Sequence, residues 1–191
     1  VVERAGMDFS TERGTTGWQW RHRDGTVLSL PDPTLAAPVQ YANAAASIAA
    51  FHGLQQVDAA LATKDLAAAA ALGVRSARVA ARLQVLGGDP ALVVDVGHNP
   101  QAARALAEWL DARPGVRVHA VYGALSDKDV AGVMQALGVR IAHWHLAGLD
   151  KDTPRGLSAD ALAGQLAAVL PEAPYDAHVD VGSALRAARA S

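Results

Sequence analysis

The 191-residue chain is 51% hydrophobic, 19% charged and free of cysteine, and its formal net charge is −2. This charge gives no electrostatic reason to expect a nucleic acid or an acidic membrane as partner, and the absence of thiols excludes disulfides and thiolate metal sites. No apolar run is long enough to cross a bilayer and no signal-peptide pattern opens the sequence, so we expect a cytoplasmic protein. The first residue is valine, which we interpret as the middle of a longer polypeptide.

Short strands are predicted for the first 30 residues. Trp18 and Trp20 alternate with polar residues, and this period of two is typical of a half-buried strand. Asp24 and Gly25 then predict a tight hairpin turn into a second strand over residues 26 to 30. The sequence therefore predicts a small antiparallel sheet at the start of the chain.

Two alanine-rich helices are predicted next. The first runs from about Pro38 to Gly53, because proline suits the first turn of a helix and glycine commonly ends one. The second follows Thr63, which we interpret as its N-cap, and reaches about Leu72. Their many small side chains indicate close packing against a neighbouring surface.

From about residue 80, apolar strands alternate with amphipathic helices, which favours a mostly parallel sheet covered by helices. The buried apolar run over residues 91 to 96 predicts a central parallel strand that ends at Asp95. Further strands are predicted over residues 116 to 122, 140 to 146 and 177 to 181, and helices after Asn99, Ser126 and Ser158. The chain is thus expected to be an α/β protein, with a change in character between residues 73 and 85.

The segment from Asp95 to Pro100 is the strongest local candidate for a ligand site. It places a carboxylate at the end of a strand, followed by Gly97, His98 and a helix start at Asn99. Ligands of open α/β sheets bind beyond such strand ends, and a helix N-terminus attracts anions. An ionised Asp95 could accept hydrogen bonds from hydroxyl groups such as those of a ribose. The same residues are equally consistent with a capped turn and an exposed histidine that bind nothing.

Two further positions carry groups suited to a nucleotide. Arg82 could reach a phosphate through paired hydrogen bonds, although most arginines are merely solvated. Gln40 and Asn43 share one helix face, and an amide can pair with the edge of adenine, although surface polarity explains them as well.

Several other sites are not supported by the sequence. His119, His143 and His145 lie in predicted strands, but no nearby carboxylate or cysteine completes a metal site, so packing is the preferred interpretation. The sequence contains neither a Gly-x-x-x-x-Gly-Lys-Ser/Thr phosphate loop nor a Gly-x-Gly-x-x-Gly dinucleotide motif.

Four segments, in this order, resemble the dihydrofolate synthase/folylpolyglutamate synthase family within the Mur ligase superfamily. They are Gln40-Tyr41-Ala42-Asn43-Ala44-Ala45, Ala81-Arg82-Leu83-Gln84-Val85, Asp95-Val96-Gly97-His98-Asn99-Pro100 and Gly123-Ala124-Leu125-Ser126-Asp127-Lys128-Asp129. The last segment favours the folate branch over the peptidoglycan branch. The departures are Ala80-Ala81, where the family usually has Pro-Gly, and Gly97, where alanine is commoner.

The resemblance implies a ligase in which ATP phosphorylates the carboxylate of dihydropteroate or of a folate, and the amine of L-glutamate attacks the acyl phosphate. It implies that Asn43 contacts adenine, that Arg82 contacts phosphate and that Asp95 contacts the nucleotide or the reacting groups. It also implies that His98 positions glutamate. The phosphate loop and the Mg²⁺ ligands would lie upstream of this chain, which would therefore be inactive alone.

The domain organisation follows from the same resemblance. Residues 1–78 would end an α/β central ATPase domain, and residues 79–191 would form a Rossmann-like C-terminal glutamate ligase domain that lacks its last strand and helix. Two alternatives stay open at this point: a peptidoglycan amino-acid-adding ligase, and a noncatalytic nucleotide-binding module. The expected partners are small molecules, with neither a nucleic acid nor a membrane among them.

Overall fold

The computed structural model describes residues 2–35 and 37–191, and its contacts divide the chain between Gln84 and Val85. The sequence predicts a domain boundary after residue 78, within the same connecting region, and Val1 of the predicted first domain lies outside the described residues. No helix among the described residues is long and apolar enough to cross a membrane. The two units are described separately below.

The first unit begins with an antiparallel sheet of three strands in the order β1 (Phe9–Arg13), β2 (Trp18–His22) and β3 (Val27–Leu30). The predicted alternation is confirmed, because Trp18 and Trp20 are buried and Arg21 is exposed. The predicted hairpin is also confirmed: Gly25 takes a φ of +95°, a conformation that favours glycine.

Among the described residues, three helices complete the first unit: α1 (Gln40–Gln55), α2 (Ala59–Ala62) and α3 (Leu66–Ser76). Its core joins the buried face of the sheet to both long helices through Phe9, Trp18, Trp20, Leu28, Leu30, Ala45, Ile48, Ala49, Ala70 and Val74. The prediction that Thr63 caps the second long helix is wrong, since Thr63 ends α2. Asp65 caps α3 instead, because its carboxylate accepts a hydrogen bond from the N–H of Ala68 at 3.1 Å.

The strand before Asp95 does not occupy the predicted position. β5 (Leu92–Val94) pairs with β4 (Gln84–Gly87) in a separate two-stranded sheet, so the prediction of a central parallel strand is wrong. The three residues of β5 are only half-buried. An apolar run indicates that a strand is covered, but it does not specify the partner, and here the partner is the strand just before it in sequence.

The second unit is built on three parallel strands in the order β6 (His119–Tyr122), β7 (His143–Ala147) and β8 (Tyr175–His178). Four helices accompany them: α4 (Pro100–Asp111), α5 (Val130–Leu137), α6 (Ala159–Val169) and α7 (Val181–Ala190), with a short 3-10 turn at Gly138–Arg140. This alternation confirms the predicted α/β class with a parallel sheet flanked by helices.

The two faces of the parallel sheet differ in chemistry. Trp144 and Leu146 of β7 point into a large apolar core that contains buried residues of α4, α5 and α6. His143, His145 and Ala147 alternate with them and therefore lie on the opposite face. Helix α7 packs against β6 and β7, and its buried Ala184 lies outside the apolar core, so it covers the histidine face.

Side-chain caps begin the helices of this unit. Asn99 and Ser158 cap α4 and α6 as predicted, through hydrogen bonds from Ala102 and Ala161. The prediction that Ser126 opens α5 is wrong, because Asp129 is the cap and accepts from the N–H of Gly132 at 2.9 Å. A carboxylate three residues after a serine fits either the cap or the third helical position, and here it is the cap.

Candidate functional site

The turn after β5 holds two of the predicted site residues, Asp95 and His98. The Oδ1 atom of the half-buried Asp95 accepts a hydrogen bond from the N–H of Gly97 at 2.6 Å. A β-carbon added to Gly97 would lie 2.6 Å from that oxygen and 2.8 Å from Cβ of Ala102. The turn thus closes tightly around the carboxylate, and glycine at position 97 permits that approach.

His98 projects from the same turn and is exposed. Its Nδ1 atom lies 3.2 Å from the carbonyl oxygen of Val96. Because a carbonyl only accepts, this contact places a proton on Nδ1 and leaves Nε2 of a neutral ring as an acceptor. The arrangement presents one ring nitrogen to a ligand while the backbone holds the other.

The start of helix α4 follows directly. The side chain of Asn99 accepts from the N–H of Ala102 at 2.9 Å, and Pro100 occupies the first helical position. The start of α5 lies close by, since a β-carbon added to Gly132 would approach Cγ of Pro100 to 2.6 Å. The Asp95 turn therefore lies at the N-terminus of α4, whose partial positive charge favours bound anions, whereas the carboxylate of Asp129 occupies the start of α5.

Arg82 lies in the first unit, in a strained turn. The residues on either side, Ala81 and Leu83, take φ values of 54° and 45°, which residues other than glycine seldom adopt. Leu83 is buried and anchors the turn, while Arg82 is exposed. Among the described residues, none forms a hydrogen bond or an ion pair with the guanidinium of Arg82. This cation is therefore available to bind a ligand.

Asn43 stands on α1 beside a cavity of the first unit. Its Nδ2 atom donates to Oε1 of Gln40 at 3.1 Å, so the prediction that the two amides share one helix face is confirmed. Both residues line a cavity of about 470 Å³ between α1 and α3, whose other lining residues are apolar except for Ser47. The cavity combines apolar walls with a few polar groups, as small-molecule sites do.

The structure brings the predicted residues together only in part. Asp95 and His98 share one turn of the second unit, whereas Asn43 and Arg82 belong to separate segments of the first unit. The sequence did not predict the cavity, because the way in which two helices pack against each other depends on the whole fold. The alanines of both helices were the available signal, since small side chains allow a close approach and leave space.

The histidines of the parallel sheet require a second correction. The sequence predicts no carboxylate near His143 and His145, but Oδ2 of Asp176 lies 2.9 Å from Nε2 of His143. Burial lowers the pKa of His145, and the nearby His143, His178 and His119 lower it further. The predicted strands gave no signal for this contact, because Asp176 lies one residue before the strand predicted over residues 177 to 181.

A second cluster of this kind lies in the first unit. Asp24 contacts Nδ1 of His22 at 3.0 Å and Nε2 of His52 at 3.2 Å, while Glu3 contacts Nε2 of His22 at 3.2 Å. Burial acts to lower the pKa of His22, but hydrogen bonds to Asp24 and Glu3 outweigh it and raise the pKa. The pKa of Asp24 is well below its usual range, chiefly because its carboxylate accepts from the N–H of Thr26.

Comparison with known proteins decides the family. Residues 81–191 match the family described as the glutamate ligase domain of Mur ligases. The chain belongs to the Mur ligase family. Its curated relatives include the dihydrofolate synthase/folylpolyglutamate synthase of Escherichia coli K12, which is 32% identical over 169 residues. That alignment covers 87% of this chain and 36% of the relative, so the chain spans little more than a third of that protein.

Solved structures extend the likeness of this Mur ligase chain to nearly its whole length. Escherichia coli FolC in complex with DHPP and ADP matches this chain with a TM-score of 0.79 and 30% sequence identity. The match covers 99% of this chain and 41% of FolC. A bifunctional folylpolyglutamate synthase/dihydrofolate synthase with Mn, AMPPNP and L-glutamate bound has a TM-score of 0.77 and 34% identity, with 99% and 41% covered. The resemblance to the folate branch is thereby confirmed.

Proposed function

We propose that this chain belongs to an ATP-dependent ligase that joins L-glutamate to dihydropteroate, to folates or to both, through an acyl phosphate. The observation that carries the proposal is the likeness over 99% of the chain to FolC in complex with DHPP and ADP, at 30% identity. The second relative binds Mn, AMPPNP and L-glutamate, so the named ligands of the two proteins are nucleotides, a metal ion, DHPP and an amino acid. The activity is proposed for a protein longer than this chain.

The cavity of the first unit suits the adenine of ATP. Adenine is flat and largely apolar, and its polar edge carries both a donor and an acceptor that a carboxamide can match. Asn43 and Gln40 offer such groups at the wall of a cavity of about 470 Å³. We therefore assign Asn43 to adenine recognition.

Arg82 suits the phosphates. A planar guanidinium can bind two phosphate oxygens at once, and Arg82 has no competing partner among the described residues. The left-handed backbone at Ala81 and Leu83 holds it in an exposed turn at a conformational cost. A cation fixed in this way would stabilise negative charge that grows as the phosphoryl group is transferred.

His98 suits the amino-acid side of the reaction, and Asp95 suits the nucleotide or a reacting group. The carboxylate of Asp95 would bind the nucleotide or a reacting group, and Nε2 of His98 would accept a hydrogen bond from the incoming glutamate. The start of α4 behind the turn adds a partial positive charge that suits the carboxylates of that substrate. Asp95 and His98 would have these roles in the complete enzyme.

We further propose that Mg²⁺ accompanies ATP and is held by residues outside this chain. Mg²⁺ prefers oxygen ligands and octahedral geometry, and the histidine-containing clusters of this chain do not offer them. The domain assignment of residues 1–78 and 79–191, the small-molecule partners and the cytoplasmic location stay part of this proposal.

Substitutions at Arg82 and His98 in the full-length enzyme test these roles. Arg82→Ala should lower kcat by about ten- to a hundredfold, because about 1.5–3 kcal/mol of charge-assisted bonding is lost in the transition state. His98→Ala should mainly raise the KM for glutamate, if His98 binds glutamate equally in the ground and transition states.

Arg75→Ala is the matched control for Arg82, since Arg75 is an exposed arginine of the same unit whose guanidinium makes no recorded contact among the described residues. Its steady-state kinetics should equal those of the wild type. The role of Arg82 is wrong if the two arginine variants behave alike. The role of His98 is wrong if its substitution changes the KM for ATP and leaves the KM for glutamate unchanged.

A further inference from the structure

One face of the parallel sheet in the second unit carries four histidines and an aspartate. The parallel register places His119 beside His143, and His145 beside Asp176, so these side chains project from the same face. His178 lies two residues after Asp176 and shares that face. None of the five belongs to the site proposed for the ligase reaction.

The ring nitrogens and the carboxylate of this cluster lie close together. Nε2 of His145 is 3.3 Å from Nδ1 of His119, and Nδ1 of His145 is 3.3 Å from Nε2 of His178. Nε2 of His143 is 2.9 Å from Oδ2 of Asp176. One ligand atom from each of His143, His145 and Asp176 falls within 4.8 Å of the others.

One histidine of the cluster is buried, and two of its other side chains are accessible to solvent. His145 is 1% exposed, whereas the side chains of His143 and Asp176 are 24% and 62% exposed. A dissolved cation could therefore reach His143 and Asp176 from solvent and bind His145 beneath them. The outer two side chains are also free enough to adjust their positions.

An ordinary hydrogen-bond network explains part of this arrangement. His143 and Asp176 can form an ion pair, and one proton shared at each of the two histidine contacts satisfies the nitrogens of His145. Such a network leaves His145 buried with only other imidazoles as its recorded hydrogen-bond partners.

We propose that His143, His145 and Asp176 bind a divalent transition-metal ion, with Zn²⁺ as the expected ion and water as the fourth ligand. Two imidazoles and a carboxylate are ligands that suit Zn²⁺. Zn–N bonds of about 2.0–2.1 Å in a tetrahedron place ligand atoms about 3.3 Å apart, so the three groups close around the ion by small movements of the outer two. The second nitrogen of His145 keeps a hydrogen bond to a neighbouring histidine, as metal-bound imidazoles usually do.

The bound ion would tie strand β7 to strand β8, because His143 and His145 come from the former and Asp176 from the latter. It would therefore stabilise the second unit. At a roughly hundredfold excess over Kd, binding of one ion to the folded state should raise Tm by about 5–10 °C. Mg²⁺, which avoids imidazole ligands, should leave Tm unchanged.

Titration of the purified, chelator-treated 191-residue chain tests the site. Calorimetry with Zn²⁺ should give one site per chain, and Co²⁺ should show the visible absorption of a tetrahedral complex with nitrogen and oxygen ligands. Asp176→Asn should raise Kd for Zn²⁺ at least about tenfold and abolish the Tm shift. Because Asp176 is exposed, this substitution should leave the circular dichroism spectrum intact, whereas His145→Asn removes a buried side chain and could unfold the unit.

Asp24→Asn is the matched control, since Asp24 joins two histidines in the first unit with similar spacing. It should leave Kd for Zn²⁺ unchanged. The proposal is overturned if Zn²⁺ does not bind to the folded chain. It is equally overturned if binding survives Asp176→Asn or is lost in Asp24→Asn.

Discussion

Gly97 lies in the Asp95 turn, and the geometry of the turn shows what the absence of a side chain allows there. A β-carbon there would approach both the carboxylate of Asp95 and the side chain of Ala102 more closely than real β-carbons do. The hydrogen bond from the N–H of Gly97 to Asp95 depends on this approach. The position of the Asp95 carboxylate is therefore coupled to a residue that carries no side chain of its own.

Gly97→Ala should destabilise the chain by about 1–3 kcal/mol, because a methyl group in this space forces the turn to shift. Gly164→Ala is the control, since Gly164 lies within α6 with nothing within 4 Å of an added β-carbon. That control should stabilise the chain by about 0.5–1 kcal/mol through helix propensity. Urea unfolding measures both, and equal effects of the two substitutions would contradict the account of the turn.

His22 predicts how the stability of the first unit depends on pH. Its pKa is raised above the ordinary 6.5 by Asp24 and Glu3 despite the opposing effect of burial. The stabilisation from protonated His22 is thus complete below about pH 6.5 and is lost as the pH rises through the raised value. Asp24 acts oppositely, because its lowered pKa confers stability that is lost only on strong acidification.

The wild type should therefore exceed His22→Gln in Tm by more at about pH 6 than at about pH 8. Subtracting the Tm of the variant from that of the wild type at each pH removes the contributions of the other histidines. Thermal unfolding followed by circular dichroism measures the difference, and a difference that grows as the pH rises would show that the ion pair has been misassigned.

At the scale of elements, local signals predicted some boundaries and not others. The Asn99-Pro100 helix start and the Trp18–Trp20 strand were predicted because a cap and an alternating pattern act within a few residues. Thr63 and Ser126 were misassigned because an aspartate a few residues later makes the better cap. The partner of β5 was also missed, since strand pairing depends on the whole fold.

The corrected start of α5 can be tested with two single substitutions. Asp129→Ala should lower the free energy of unfolding by about 1 kcal/mol, because it removes the side chain that accepts from Gly132. Ser126→Ala should change it little, since only the backbone N–H of Ser126 makes a recorded hydrogen bond, to the carbonyl of Arg155 at 2.8 Å. If Ser126→Ala proves the more destabilising of the two, the predicted cap was right after all.

The sequence predicted which residues belong to the candidate site, but it did not predict how they are arranged in space. Motifs and the family resemblance predicted Asn43, Arg82, Asp95 and His98. The cavity beside Asn43 and the strained turn at Arg82 depend on the tertiary structure, which these motifs do not specify. The histidine cluster was missed because Asp176 lies one residue before the predicted strand and more than thirty residues after His143 in sequence. A parallel sheet brings such distant residues together.

At the scale of the whole molecule, the chain spans little more than a third of its Escherichia coli relative, and its candidate site is divided between two units. Under the proposed function, Asn43 and Arg82 of the first unit would bind the nucleotide. Asp95 of the second unit would bind the nucleotide or a reacting group, and His98 would bind glutamate. The proposed ligase thus needs both units together with the remainder of a longer enzyme. This chain alone should release no phosphate above a control without protein.

The most direct measurement is the substrate dependence of the reaction in the full-length enzyme. Phosphate release and a pterin product heavier by one glutamyl residue, detected by mass spectrometry, should each require ATP, L-glutamate and either dihydropteroate or a folate. Omission of any one of these substrates should reduce both signals to background. Phosphate release that is independent of glutamate, or addition of glutamate to a peptidoglycan precursor instead of a pterin, would contradict the proposed function.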